Sequence, residues 1–142
     1  MNKSKKIHKL IVEFEKDFVL LALASHENDY RLSWAINKKF GFELSKIENL
    51  SLILQKQKTE ASFSLYRFAD DNEVIFHLIS NKSEGGYLIP ELKNIDYVLK
   101  VENFPDQAYI EKLIYGIKSI DIVITAFEIK ELSERNHKLF LF

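Results

Sequence analysis

The stretch Leu88–Tyr97, with the sequence LIPELKNIDY, joins a turn fixed by proline to a strand in which polar and apolar residues alternate. Pro90 fixes its own φ and biases Ile89 toward an extended backbone, so the chain leaves the turn in a set direction. Apolar residues then share one face of the predicted strand, namely Ile95, Tyr97, Leu99 and Val101. The stretch therefore predicts a sheet strand that is entered through a rigid turn.

Apolar runs on both sides of this stretch predict the other strands. The predicted ranges are 10–14, 18–25, 50–55, 62–68, 74–80 and 120–129. The first range also fits helical spacing, but a Glu15-Lys16-Asp17 turn that returns it against 18–25 favours a strand. The run Asp70-Asp71-Asn72 predicts a hairpin turn, and Asn81–Gly86 is the strongest loop signal in the chain.

Two segments have the pattern of amphipathic helices. The first spans Asp29–Phe40, where Asn28 can cap the free amides and Gly41 can take the left-handed conformation that ends a helix. The second opens at Pro105 and Asp106. Its apolar face contains Ile110, Leu113, Ile114 and Ile117.

Mostly consecutive strands with two separated helices predict an α+β fold. We expect a single globular domain over residues 1–142, built as a two-layer sandwich with a mainly antiparallel sheet and two main helices on one face. The order of elements resembles ferredoxin-like and ACT-like sandwiches with an inserted meander, an analogy that carries no function. The apolar stretch 139–142 is expected to pack onto this body.

Composition narrows the classes of function. Among 142 residues, 20 basic and 21 acidic side chains give a net charge of −1, which disfavours nucleic-acid binding. The absence of cysteine removes disulfides, thiolate metal sites and thiol catalysis. The longest apolar run, Phe18–Ala24, is too short to span a membrane, and acidic residues before it argue against a signal peptide. We therefore expect a cytoplasmic protein that uses no cofactor.

The residues that most often carry metal or phosphate chemistry are scattered along the chain. The four histidines are His8, His26, His77 and His137, and they lack the paired spacing of a zinc motif. His77 alternates with apolar residues, which favours a partly buried histidine with satisfied hydrogen bonds. Gly85-Gly86 lacks the spacing of a phosphate-binding loop and favours a simple turn. The sequence predicts no metal site, although ligands assembled by tertiary contacts stay open.

The candidate functional residues fall into two groups. The first surrounds the proline turn and consists of Asn81, Pro90, Glu91, Asp96 and Tyr97. In the second, Arg31 can clamp a carboxylate or phosphate, and Asn37 shares a helix face with Trp34. Both groups also have structural explanations. Carboxylates can accept hydrogen bonds from backbone amides, and a buried tyrosine can form a hydrogen bond through its hydroxyl. Polar side chains at the edge of a helix can cap neighbouring loops.

Three segments together resemble a bacterial family named for the pattern IPExxxVDY. They are 88–97, with Ile95 where valine is usual, Asp29-Tyr30-Arg31-Leu32 with Asn37, and 78–82. The family has no assigned activity, so the resemblance implies a shared architecture and no reaction.

These observations favour a non-enzymatic interaction or regulatory module that binds a protein partner through the proline turn and an exposed sheet face. The alternative is a small-ligand sensor with a pocket near Arg31 and Tyr97, and an enzyme of unknown class comes third. An open sheet edge also allows a homodimer.

Overall fold

The structure is a computed structural model that describes residues 18–54 and 59–142. The strand predicted at 10–14 and the turn after it lie outside these residues. The strands are β1 Phe18–Ala24, β2 Ser45–Leu54, β3 Thr59–Ala69, β4 Ile75–Ser80, β5 Lys82–Ser83, β6 Gly86–Tyr87, β7 Tyr97–Glu102 and β8 Thr125–Glu128. The helices are α1 Asp29–Phe40, α2 Gln107–Lys118 and α3 Glu134–Lys138, and a single 3₁₀ turn covers Pro90–Leu92.

Six of the strands form one sheet in the order β2-β3-β4-β7-β1-β8, and every neighbouring pair is antiparallel. Without the β2–β3 hairpin, the small β5–β6 ladder and the short helix α3, the sheet has the order β4-β7-β1-β8 and the chain runs β1-α1-β4-β7-α2-β8. This is the split βαβ arrangement of ferredoxin-like folds with two strand pairs inserted and one short helix added after β8. The predicted α+β sandwich with two main helices on one face is therefore confirmed.

Both main helices are capped as the sequence predicts. The Asn28 side chain accepts a hydrogen bond from the amide of Arg31 at the start of α1, and Asp106 accepts one from Tyr109 at the start of α2. Gly41 ends α1 with a φ of 71°, a left-handed conformation that favours glycine. These caps satisfy backbone groups that the helix ends leave without an internal partner.

The main core lies between the two helices and one face of the sheet. Its helix members are Leu32, Ile36, Ile110, Leu113 and Ile117, and its strand members include Leu21, Leu23, Phe76, Leu78, Leu99 and Val101. Burial of each large side chain stabilises the fold by about 1.5–3 kcal/mol. Gly116 lets the two helices approach, because a Cβ there would lie 2.7 Å from the ring of Phe40.

The opposite face of the sheet is also covered over its central strands. A second core joins the strands to the segment Leu88–Leu92 and to the chain that follows β8, where Phe140 is fully buried. The end of the chain therefore packs onto the body as predicted, through the short helix α3 that sequence patterns did not reveal. The sheet face that we expected to be exposed is largely occupied by these two segments.

The last strand is shorter than predicted. The range 120–129 was expected to be one strand, but β8 contains only Thr125–Glu128. The amide of Ile120 donates to the carbonyl of Ile117, and the amide of Val123 donates to that of Ile120. Residues 120–124 therefore form turns before the chain enters β8. The prediction of a strand over these residues was wrong.

Two predictions near the proline turn also need correction. The loop expected at Asn81–Gly86 contains the small ladder between β5 and β6. Ile95 does not share a face with Leu99, because β7 begins only at Tyr97 and the strand pleat does not extend back to position 95. Ile95 packs instead against two alanines of β1 and their neighbours, in a cluster separate from the main core.

We predict that Phe140→Ala lowers the free energy of unfolding by about 3–5 kcal/mol, because it opens a cavity in the second core. Leu141→Ala is the matched control, since Leu141 is 60% exposed and its truncation should cost under about 0.5 kcal/mol. Urea denaturation of both variants measures the difference. Equal small losses would contradict a structural role for the end of the chain.

Candidate functional site

Asn81 is the central polar group between β4 and the proline turn, and it is fully buried. Its side-chain amide donates to the carbonyls of Leu92 and Ile95, both at 2.9 Å, and its Oδ1 accepts the amide of Ile89 at 2.8 Å. Its backbone carbonyl also accepts the amide of Leu88 at 2.8 Å. One residue thus ties both sides of the proline turn to the end of β4.

Asp96, the residue before β7, connects Ser25 just after β1 with Lys82 of β5. Its Oδ2 accepts the amide of Ser25 at 2.8 Å, and its Oδ1 lies 2.8 Å from Nζ of Lys82. This hydrogen bond raises the pKa of the Lys82 ammonium above its ordinary value, so Lys82 stays charged at neutral pH. Ser25 in turn donates its hydroxyl to the carbonyl of Ile122 at 2.7 Å, which anchors the turns before β8.

Tyr97 and Arg31 meet only through Glu27. The Tyr97 hydroxyl donates to the backbone carbonyl of Glu27 at 2.7 Å, and the Glu27 carboxylate lies 3.4 Å from Nε of the exposed Arg31. Burial raises the pKa of Tyr97 well above its ordinary value, which keeps the phenol neutral. Tyr97 therefore acts here as a hydrogen-bond donor that holds the start of α1 against β7.

Asn37, Glu91 and Pro90 each support a local junction. Asn37 exchanges two hydrogen bonds with the backbone of Leu44, at 3.1 Å and 2.8 Å. The Oε2 of Glu91 accepts from Nδ2 of Asn136 at 2.6 Å, which links the 3₁₀ turn to α3. Pro90 is the exposed first residue of that turn, and the extended Ile89 before it agrees with the sequence prediction.

The structure brings only part of the predicted residues together. Glu91 and Asp96 line one surface cleft of about 610 Å³, whereas Arg31, Asn37 and Tyr97 do not line it. One wall of the cleft contains Glu91, Lys93 and Asp96, and the other contains Ile124, Thr125 and Phe127. We refer to this as the β8 cleft, and His26 and Lys82 also line it.

The β8 wall of the cleft combines exposed apolar side chains with the edge of the sheet. Ile124 is 60% exposed and Phe127 is 42% exposed. β8 is the terminal strand of the sheet, so its outer edge has no strand partner in the part of the chain that the structure describes. Sequence reasoning missed this wall because it treated 120–129 as one long strand and did not predict which of its side chains are exposed. The alternation of small and large residues in Thr125-Ala126-Phe127 was the available signal of a one-sided strand.

A second polar cluster lies beneath the end of the chain. Lys100 is 1% exposed, and its Nζ donates to the carbonyl oxygen of Phe142 at 2.9 Å. The same ammonium lies 4.9 Å and 4.3 Å from the ring centroids of Phe18 and Phe142, and 3.4 Å from Oε1 of Glu102. Burial lowers the pKa of Lys100, and the Glu102 carboxylate and the aromatic rings partly offset that cost.

His77 is paired with Lys100 across the β4–β7 ladder and is 7% exposed. Burial, together with the charges of Lys100 and Arg67, lowers the pKa of His77 to about 4. Its Nδ1 has no hydrogen-bond partner among residues 18–54 and 59–142, and the ring of Phe142 packs edge-on against it at 5.1 Å. The expected burial of His77 is confirmed, whereas the expected satisfaction of both ring nitrogens is not.

No family model, curated protein or solved structure matches this chain. The resemblance to the IPExxxVDY family therefore stays a prediction. Over the described ranges, no helix has the length and apolar character needed to cross a bilayer. The same ranges contain no group of three histidine, aspartate or glutamate side chains placed to hold a metal ion.

We predict that Asn81→Ala lowers the free energy of unfolding by about 3–4 kcal/mol, because buried carbonyls and an amide lose their partner. Asn94→Ala is the control, since Asn94 is an exposed asparagine that lies between the 3₁₀ turn and β7. Denaturant titration of the two variants measures the contrast. A loss of less than about 1 kcal/mol for Asn81→Ala would show that water replaces the side chain.

We predict that stability falls as the pH drops from 6.5 toward 4, because the pKa of His77 is about 4 in the folded chain and near 6.5 when unfolded. The unfolded chain binds the proton first, so protonation favours unfolding by roughly 2 kcal/mol at pH 5 relative to pH 8. His77→Leu should flatten this part of the profile. Parallel wild-type and variant profiles of unfolding free energy against pH would contradict the assignment.

Proposed function

We propose that this chain is a non-enzymatic protein-interaction module whose β8 cleft binds an extended segment of a polypeptide. The observation that carries the proposal is a strand edge that has no strand partner among residues 18–54 and 59–142 and that lies beside two exposed apolar side chains, Ile124 and Phe127. An edge strand can pair its main chain with an incoming strand, and neighbouring apolar side chains then select the residues of that strand.

The polar groups of the cleft support binding over catalysis. Asp96 already accepts the amide of Ser25 and pairs with Lys82, and Glu91 accepts a hydrogen bond from Asn136. A general acid or base must reach the proton of a substrate with its own carboxyl group. Both carboxylates instead hold segments of the chain in place, so they favour a rigid wall of the binding surface.

The composition of the cleft resembles a small protein interface. Ile124 and Phe127 supply apolar contact area, and the charged groups Glu91 and Lys93 stand on the opposite wall. Interfaces of this kind have an apolar centre and a polar rim that stays accessible to water. A cytoplasmic setting belongs to the same proposal, since a chain without cysteine needs no oxidising compartment.

A small-ligand sensor is the second candidate, and the volume of the β8 cleft favours it. The value of about 610 Å³ falls within the roughly 300–1,000 Å³ that is usual for ligand pockets. The pocket expected near Arg31 and Tyr97 does not coincide with this cleft. A thermal-shift screen with a metabolite panel separates the candidates, because a true ligand raises the melting temperature with its concentration.

We predict that random dodecapeptides selected for binding to the full chain have apolar residues at alternate positions and contain no proline, as a strand added to β8 requires. Phe127→Asp should weaken the selected peptides at least about tenfold, or about 1.4 kcal/mol, because it places a charge in the apolar centre. Tyr115→Asp should leave affinity unchanged, since Tyr115 is a 79% exposed aromatic residue on α2 outside the cleft.

Fluorescence anisotropy with labelled peptides measures these affinities. Selected peptides that bind equally to wild type and to Phe127→Asp would place binding elsewhere on the surface. Failure to select any peptide, together with a ligand-dependent thermal shift, would favour the sensor.

A further inference from the structure

The ladder between β1 and β8 determines which backbone groups of β8 face outward. The amide of Ile129 donates to the carbonyl of Leu20 at 2.8 Å, and the register continues with Ala22 opposite Phe127. In an antiparallel ladder, residues bond to one neighbour at every second position. Residues 125, 127 and 129 therefore bond inward to β1. The amide of Ile124 also donates to the carbonyl of Ala24 at 2.8 Å, so the regular alternation ends at Thr125. The N–H and C=O groups of Ala126 and Glu128 point away from the sheet.

This edge is complementary to a second copy of itself. In a symmetric pair, residue i of one copy faces residue j of the other, and j faces i. A two-fold axis at Phe127 places Ala126 of each copy opposite Glu128 of the other. The outward N–H and C=O groups of Ala126 in one copy can then form two hydrogen bonds with those of Glu128 in the other. The hydrogen-bonding pattern of β8 is therefore compatible with this two-fold axis.

The side chains select this register over its neighbours. An axis at Glu128 would place two carboxylates directly opposite each other, which destabilises a strand pair. An axis at Ala126 would place the ring of Phe127 opposite Thr125. The axis at Phe127 brings the largest exposed side chain of β8 against its own copy at the closer, non-hydrogen-bonded position. An aromatic pair of this kind stabilises by about 0.5–1.5 kcal/mol beyond its buried area.

Charges are also compatible with this register. Glu128 faces Ala126 and Ile129 faces Thr125, so no charged side chain stands opposite one of the same sign. Phe127 lines the β8 cleft, so the ring of Phe127 from the second copy comes to the same cleft. The second copy thereby supplies a residue to the cleft and closes a side that one copy leaves open.

The other edge of the sheet is protected against such pairing. The β2–β3 register shifts between Ile47 and Leu50, which marks a bulge in the edge strand. Nζ of Lys46 lies on the same strand and donates to the carbonyl of Ile47 and to the Asn49 side chain. Bulges and lysines on edge strands prevent strand addition. Self-association through the sheet is therefore directed to β8.

We propose that the polypeptide segment bound at the β8 cleft is β8 of a second copy of this chain, paired antiparallel around a two-fold axis at Phe127. This inference rests on the proposed function, because it uses the same edge and names its occupant. A short edge strand buries less surface than a standard interface of about 1,600 Å², so the dimer is expected to dissociate in the micromolar range.

Disulfide trapping tests the register directly, because the chain has no cysteine of its own. Phe127→Cys places two thiols across the axis with Cα atoms about 4.5 Å apart, within the range that a disulfide spans. We expect the full-length variant to form a covalent dimer under mild oxidation at low micromolar concentration, read on a non-reducing gel. Ile124→Cys is the matched control. Its two copies lie about 20 Å apart in this register, and it should stay monomeric.

The double variant Thr125→Cys with Ile129→Cys should form the dimer again, because these positions face each other as a non-hydrogen-bonded pair in this register. Sedimentation velocity of the wild type should show a dimer that dissociates on dilution, and Phe127→Asp should weaken it at least about tenfold. A monomeric wild type whose selected peptides still depend on Phe127 would overturn the second copy as occupant and leave the docking edge in place. Equal cross-linking of Phe127→Cys and Ile124→Cys would overturn the register. A wild-type chain that neither selects peptides nor dimerises would overturn the edge of β8 as a docking surface.

Discussion

The hydrogen bonds of the buried Asn81 side chain hold the proline turn against the sheet, and the second core and the β8 cleft are built on that turn. This side chain supplies hydrogen-bond partners for the backbone of the proline turn at Ile89, Leu92 and Ile95, where water is excluded. Each of those groups would cost about 1–3 kcal/mol if it were buried without a partner. Because these backbone groups have hydrogen-bond partners, the proline turn can cover the second face of the sheet and hold Glu91 at the wall of the β8 cleft.

The polar and apolar residues of the candidate site have different roles. The conspicuous polar side chains are bound to the protein itself, as Asp96 is to the amide of Ser25 and Tyr97 is to the carbonyl of Glu27. The conspicuous apolar ones, Ile124 and Phe127, are exposed beside a strand edge. A surface with this division can bind another chain through main-chain pairing and apolar contact while its polar framework stays rigid.

Burial of both sheet faces also explains the unusual position of Lys100. Its neighbours in β7 are buried on either side of the strand, so its stem lies in the second core and its ammonium must find partners there. The rings of Phe18 and Phe142, a carbonyl oxygen and Glu102 supply them. Residues 97–101 are all buried, as expected for a strand that is covered on both faces. The alternation of polar and apolar residues in the sequence does not distinguish such a strand from one that is covered on a single face.

Local patterns of residues were sufficient to predict the elements whose causes lie within a few residues of them. Asn28 and Gly41 bound α1 because a cap and a left-handed residue act within one helical turn, and the α+β class follows from the order of such elements. The other features depend on contacts between segments that are distant in the sequence. The β8 cleft joins the proline turn to a strand some thirty residues later, and the exposure of Phe127 depends on β8 being the last strand of the sheet. Contacts between such distant parts of the chain leave no periodic signal in the residues that make them, so sequence patterns could not predict them.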